Sequence, residues 1–310
     1  MSSKDKKFKT SIGGQALIEG VMMRGPKKAA MAVRKPDGEL WVDVWDAPKK
    51  TVWSKIPIVR GVVNMVVSLM DGYKCLMKSA EISTEGLEEE KPSKFEEWLE
   101  KKLGDKMTKV VSVLSAILGI ALAVLLFTFL PAFLVGFLKG ILPRWGLSLI
   151  EGFLKIALFV GYLAVVSLLP DMKRMFQYHG AEHKTIFCYE AGLELTVENV
   201  RKQKRFHPRC GTSFLIIALI LSILVFSVVT WSSPLIRTLL KLALTPIVVG
   251  VAYELIKLAG RYDNVFTRIL SFPGLKLQHL TTREPDDSMI EAAIASVKPV
   301  IPEKKGEDQW

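Results

Sequence analysis

Three of the chain's four histidines, His179, His183 and His207, fall in one short stretch, and Cys210 follows closely. His179 and His183 stand at i and i+4, so on a helix both imidazoles project from one face. Glu182 sits immediately before the second histidine. In this H-x-x-E-H order two imidazoles can hold a metal while the adjacent carboxylate takes a proton from water. His207 and Cys210 would supply further donors of the kind that suits zinc and other borderline metals. The set points to a divalent transition metal, zinc first. The plainer alternative is a hydrogen-bonded network of Tyr178, His179, Glu182 and His183 closing the end of a helical bundle.

Other residues could join such a site. Glu254 lies near the end of an apolar run and could complete the ligand set, with an ordinary ion pair to Lys257 or Arg261 as its competing role. Gln15, Glu19 and Arg24 lie in or beside a glycine-rich segment and could reach the same cavity, or Glu19 and Arg24 could pair with each other. His279 fits a structural role, with a pocket role left open by its polar neighbours. Cys188 falls off the face shared by His179 and His183 and reads as a small buried residue.

The elements that must position these groups follow from where the hydrophobicity lies. Half of the 310 residues are hydrophobic, but they are concentrated in runs rather than spread as a globular core requires. Residues 110–138 and 211–236 carry no charge, and each exceeds the ~20 residues that span a bilayer. Residues 147–169, interrupted by Glu151 and Lys155, and 239–258, with Lys241, Glu254 and Lys257 near the ends, are two further candidates, since terminal charges snorkel to the interface. The expected fold class is an α-helical polytopic membrane protein with four transmembrane helices in two hairpins and a small β-containing N-terminal cytoplasmic region. The histidine segment then lies in a loop between the hairpins.

Residues 1–12 are expected to form a disordered basic N-terminus without a cleavable signal peptide. Residues 13–55 form the β-containing region, with strands at 31–34 and 40–44 around a Pro36-Asp37-Gly38 turn. The glycines of 13–26 mark unusual backbone angles or the close approach of another group. Residues 56–109 hold interfacial or amphipathic helices and an acidic linker, with a capping box at Ser93 opening a helix that carries Phe95, Trp98 and Leu99. The first hairpin is 110–170, the cytoplasmic His/Cys loop 171–210 and the second hairpin 211–258. Residues 259–298 form a cytoplasmic C-terminal region with a turn at Phe272-Pro273-Gly274, and 299–310 a charged, disordered tail.

Orientation follows from the cations. The segment from Asp171 to Gly211 carries eight Lys and Arg residues, against three in both outer loops together. Both termini and the histidine segment therefore face the cytoplasm. The net charge of +11 is mainly a topology signal. It does not require sequence-specific nucleic-acid binding, although a basic cytoplasmic face suits anionic lipid or ribosomal RNA. Three scattered cysteines exclude a disulfide framework. Transport lacks support, because Glu151, Lys155 and Lys241 sit near span ends.

Two stretches resemble a known family. Gly13-Gly14-Gln15-Ala16-Leu17-Ile18-Glu19-Gly20-Val21-Met22-Met23-Arg24-Gly25-Pro26 is similar to its N-terminal signature. Tyr178-His179-Gly180-Ala181-Glu182-His183-Lys184 with His207-Pro208-Arg209-Cys210-Gly211-Thr212 is similar to its central one. The family is that of the YqhQ-like bacterial membrane proteins, of unknown function and often labelled predicted metal-dependent enzymes. The similarity runs from about Gly13 to Ala295. It implies a multi-pass protein of the bacterial plasma membrane and establishes no reaction.

The leading reading is a metal-dependent membrane protein of hydrolase type, with zinc on His179, His183 and either His207 or Cys210, and Glu182 as general base. It departs from inverted zinc peptidases, whose third ligand is a distant acid; here only Glu254 could play that part. The alternative is a non-enzymatic accessory subunit of a membrane complex, docking a translocon or a ribosome, with the cluster as a structural clip.

Overall fold

The computed structural model describes residues 8–49, 51–87, 98, 102, 104, 107–228, 234–304 and 306–310. The first seven residues, and most of the helix expected from Ser93 with its Phe95 and Leu99, lie outside the described residues. Residues divide into two compact units, one of 1–85 with 163–310 and one of 86–162.

The larger unit opens with an antiparallel meander, β1 (Gly13–Leu17), β2 (Gly20–Arg24), β3 (Lys28–Arg34) and β4 (Leu40–Asp46), in the order β1-β2-β3-β4. Alternation fixes the register, and Gly38, at φ 88°, supplies the left-handed residue that the 35–39 loop needs. Helix α1 (Val59–Ser83) packs on one face of the sheet, where Leu17, Met22, Met31 and Val33 meet Cys75 and Ile82. The other face, with Val21, Met23, Ala30 and Ala32, meets Met289, Ile290, Ala293 and Val297. Each large side chain fully buried in this way contributes about 1.5–3 kcal/mol. Both faces of β3 are covered, which is why its central residues are small or apolar throughout. On its exposed side α1 carries Val66, Leu69, Met70, Tyr73 and Met77 at helical spacing.

The smaller unit holds α2 (Met107–Val124), which runs through one π turn (Leu125–Phe129) into α3 (Leu130–Gly136), and most of α4 (Arg144–Val166). The π turn falls just before Pro131, whose missing N–H and bulky ring leave no regular bond to make there. On α4 Lys155 pairs with Glu151 at 2.7 Å.

The remaining helices of the larger unit are α5 (Pro170–Glu190), α6 (Val197–Arg201), α7 (Gly211–Ser227), α8 (Pro234–Arg261), α9 (Val265–Thr281) and α10 (Asp287–Val297). The Thr196 side chain caps α6 and that of Asp286 caps α10.

Three helices are long and apolar enough to cross a membrane, over Val110–Gly136, Trp145–Val166 and Leu239–Arg261. The fourth expected run, 211–236, is divided among the described residues between α7, an apolar helix of 17 residues, and α8, which takes Ile236. Pro234 stands in the first turn of α8, where its missing N–H removes no helical bond.

Two expectations are overturned. The Phe272-Pro273-Gly274 turn is absent, because α9 continues through Pro273. Its packing outweighs the local signal. Gly274 lies so close to Ser213 of α7 that an added Cβ would stand 2.5 Å from that residue's Cβ, and Gln278 binds the 207 loop from both amide atoms. Nor are residues 306–310 a loose tail. Trp310 donates its backbone N–H to the Lys9 carbonyl and its indole N–H to the Lys257 carbonyl, while the buried Asp308 accepts from Thr10 and from Tyr189. Composition alone does not reveal these specific partners.

Gly180 on α5 is the tightest approach at the heart of the unit. A Cβ there would be driven into the Arg283 carbonyl oxygen, on a strand of backbone already fixed by the Arg283 N–H to Phe176 C=O bond at 2.8 Å. Backbone cannot swing aside as a side chain can. Gly180→Ala is therefore expected to lower stability by about 1–3 kcal/mol, read as a fall in the thermal midpoint of the purified protein. Gly161→Ala, where a Cβ meets nothing within 4 Å, is the control expected to show no loss.

Candidate metal centre

Helix α5 carries His179, Glu182 and His183, buried along most of its second half. Pro170 starts it cleanly, with Leu169 extended before it. Three side chains at successive turns tie α5 to the β1–β2 hairpin. Arg174 grips the Glu19 carboxylate through two nitrogens, Tyr178 donates to the same carboxylate at 3.2 Å, and Glu182 accepts the Gly14 N–H at 3.1 Å. Gly14 is close enough for this because it has no side chain: an added Cβ would stand 3.1 Å from the Glu182 carboxyl carbon and 2.7 Å from Met23 Sδ.

Cys210 comes from the N-terminus of α7, where its sulfur accepts from Thr212 N and caps the helix. One donor atom from each of His179, His183 and Cys210 lies within 4.8 Å of the others. Around a zinc ion such atoms stand roughly 3.4–3.8 Å apart, so small side-chain adjustments close the set. His179 Nε2 is already 3.1 Å from Cys210 Sγ.

The outer partners fix how the imidazoles present themselves. His179 Nδ1 lies 2.8 Å from the Thr281 carbonyl, and His183 Nδ1 meets the Arg205 carbonyl. A carbonyl only accepts, so each Nδ1 carries a proton and each Nε2 is the atom left to bind. This is the support that metal-ligating histidines receive.

The electrostatics agree. Burial works against a charge on His179, but the Cys210 sulfur, Glu182 and the Thr281 carbonyl raise its pKa to about 9. Burial pushes the Cys210 thiol up, yet the two imidazoles outweigh it and hold the thiol well below its ordinary value. The pair thus shares one proton as imidazolium and thiolate, which a divalent cation can replace. Glu182 is raised, mainly by burial, against the pull of both imidazoles.

His207 is not in the donor group found among the described residues, although its ring lies 5.5 Å from that of His183. Its ring packs on Phe187, and its Nε2 faces Arg209 Nη2 at 3.1 Å and Glu190 at 4.0 Å. Arg209 and Glu190 pair with each other and hold the imidazole between them. Burial, with the Arg209 charge beside it, lowers His207 to about 4 despite Glu190. The unfolded chain takes up this proton near ~6.5 and the folded chain only near 4, so stability should fall as pH drops through that window. Glu190, held low by His207 and Arg209 against its burial, adds a further loss at still lower pH. Thermal midpoints between pH 7 and 4 should show the decline, and His207→Gln should flatten it above pH 4.

The other expected residues lie elsewhere. Glu254 on α8 pairs with Arg60 and accepts the Ile58 N–H, and the Lys257 charge also acts on it. Glu19 binds Arg174 and Tyr178, while Arg24 pairs with Asp71 of α1. Gln15 lies against Gly72 of α1, and His279 packs on Phe206 at 4.4 Å. Sequence reasoning passed over Thr281, Arg205, Glu190 and Gln278. The first two act through backbone carbonyls, which no residue type advertises. Gln278 is a fully buried amide whose partners lie about 70 residues earlier in the chain, where no local pattern announces them.

The comparisons decide the family. The family described as "Protein of unknown function (DUF1385)" matches residues 56–303. A Bacillus subtilis (strain 168) protein named "Uncharacterized protein YqhQ" is 35% identical over 301 residues, covering 95% of this chain and 93% of that one. The chain belongs to the YqhQ-like family. No solved structure matches it. Within this YqhQ-like chain all three grouped donors and Glu182 lie in the matched residues, whereas Gly14, which holds Glu182, precedes them.

Proposed function

We propose that this chain is a zinc-dependent integral membrane protein of the bacterial plasma membrane, with a hydrolase-type site on its cytoplasmic side. The observation that carries this reading is the pair of carbonyl-anchored imidazoles whose Nε2 atoms are left to face the Cys210 sulfur. A mixed N,N,S donor set suits zinc. His179, His183 and Cys210 would hold the ion, which supplies a Lewis acid when bound. The other roles fall to the chain. Glu182 keeps one carboxylate oxygen on the Gly14 N–H and has the other to accept a proton from a water nucleophile and return it to a leaving group. Its burial raises its pKa toward the range in which a carboxyl can do both.

Three protein ligands favour catalysis over a closed structural clip, because the fourth candidate, His207, is engaged by Arg209 and Glu190. The three long apolar helices support the membrane setting, and the eight cations of 171–211 support its orientation. Protein purified without chelator should carry about one zinc per chain by elemental analysis. A cysteine placed at Lys202, in a background lacking the native three, should resist an impermeant thiol reagent in intact cells. A metal content near zero, with no thermal shift on adding zinc, would defeat the metal reading. Ready labelling at 202 would put the site outside.

A further inference from the structure

Helix α9 is built inside out. Its buried face consists of Thr267, Ser271, Gly274, Leu277, Gln278 and Thr281, of which only Leu277 has an apolar side chain of any size. Its outward face carries Val265, Phe266, Ile269 and Phe272, which are 73%, 60%, 67% and 58% exposed. At ~100° per residue the two sets occupy opposite arcs of the helix. A helix in water would reverse them. Scattered exposed apolar residues are ordinary, but a contiguous stripe of large ones over a polar buried face needs an apolar neighbour.

The surroundings of the stripe identify that neighbour. Helix α9 lies against α7, an uncharged apolar helix, through the Gly274–Ser213 approach and the Gln278 amide to Ser213 Oγ bond at 3.1 Å. It follows α8, a candidate span, after three residues. Cations flank the stripe: Arg261 lies over the Tyr262 ring, Lys276 over the Phe272 ring, and Arg268 pairs with Asp263. Aromatic rings with cations at both ends of an apolar face match the headgroup boundary of an anionic bilayer.

We propose that α9 is seated in the cytoplasmic leaflet of a bilayer containing anionic phospholipid, with Val265, Phe266, Ile269 and Phe272 in contact with lipid. The inference rests on the membrane setting proposed above. It replaces the cytoplasmic location that composition suggests for this segment. It also places one wall of the metal centre in a lipid-bound element, since Thr281 orients His179 and Gln278 clamps the His207 loop from the other face of the same helix.

The test uses a photoreactive benzoylphenylalanine placed at Phe266, at Ile269, at Leu118 of α2 as the lipid-facing reference, and at Lys202 as the aqueous reference. Full-length protein is irradiated in native membranes that contain phosphatidylglycerol, then purified and weighed. Phospholipid adducts are expected at 266 and 269 with yields within about threefold of that at 118, and none at 202. Adducts at 118 with none at 266 and 269 would overturn the proposal alone. A crosslink from 266 to a second polypeptide in place of lipid would overturn it as well and identify a protein as the occupant. Absence of adducts at 118 too would overturn the membrane setting together with the proposal.

Discussion

Glu182→Gln is expected to abolish function while leaving the fold and the metal in place. The amide has the size of the carboxyl and still accepts the Gly14 N–H, so the tie between α5 and the hairpin survives. What disappears is the basic oxygen, and activity should fall by about 100-fold or more. The burial cost of the wild-type carboxylate disappears too, so the variant should be at least as stable as the parent. The measurement is complementation of a deletion strain, with protein level and bound zinc followed in parallel. Full complementation at normal abundance would remove the hydrolase reading and leave a scaffold with a structural clip.

Cys210→Ser should cost the centre its zinc. Serine is a good N-cap, so it can keep the bond from Thr212 N that the sulfur now accepts, and α7 should start as before. The hydroxyl is a poor replacement for a thiolate at a zinc site. The loss in affinity should exceed the ~10–100-fold that follows removal of an outer-sphere partner. His179 should respond in turn, since the Cys210 sulfur is the leading cause that raises its pKa, and burial would then lower it. Elemental analysis and competition with a chromophoric chelator read the first effect, and imidazole proton shifts against pH read the second. Unchanged zinc in the serine variant would mean that the metal, if any, is bound elsewhere.

The parts of this protein that were legible in its sequence are those set by local spacing. The i, i+4 histidines, the turn at Gly38 and the long apolar runs depend on neighbours within one or two turns. The glycines of 13–26 also gave a true signal, since Gly14 does admit Glu182 and Gly25 lies against the Val300 carbonyl. What was not legible is set by contacts distant in sequence. Glu254 had plausible partners at i+3 and i+7, yet Arg60 reaches it from α1 with two nitrogens, a geometry that one-point contacts on its own helix do not match. His207 looked like any other donor until Glu190 and Arg209 were seen on its ring. Pro273 signals a break only when the helix around it has no better packing, and α9 takes its stability from Ser213 and the 207 loop.

The three rungs that join α5 to the first hairpin also decide how this protein can be divided. A fragment beginning at Ile56 would retain His179, His183 and Cys210, so its ligand inventory would look complete. It would nonetheless lose Gly14 from the Glu182 carboxylate and Glu19 from Arg174 and Tyr178, and with them the covered face of α10. The amino-terminal sheet is therefore no detachable module. Truncations, affinity tags and chimeras that disturb Gly14 act on the Glu182 carboxylate as directly as a mutation in α5 would.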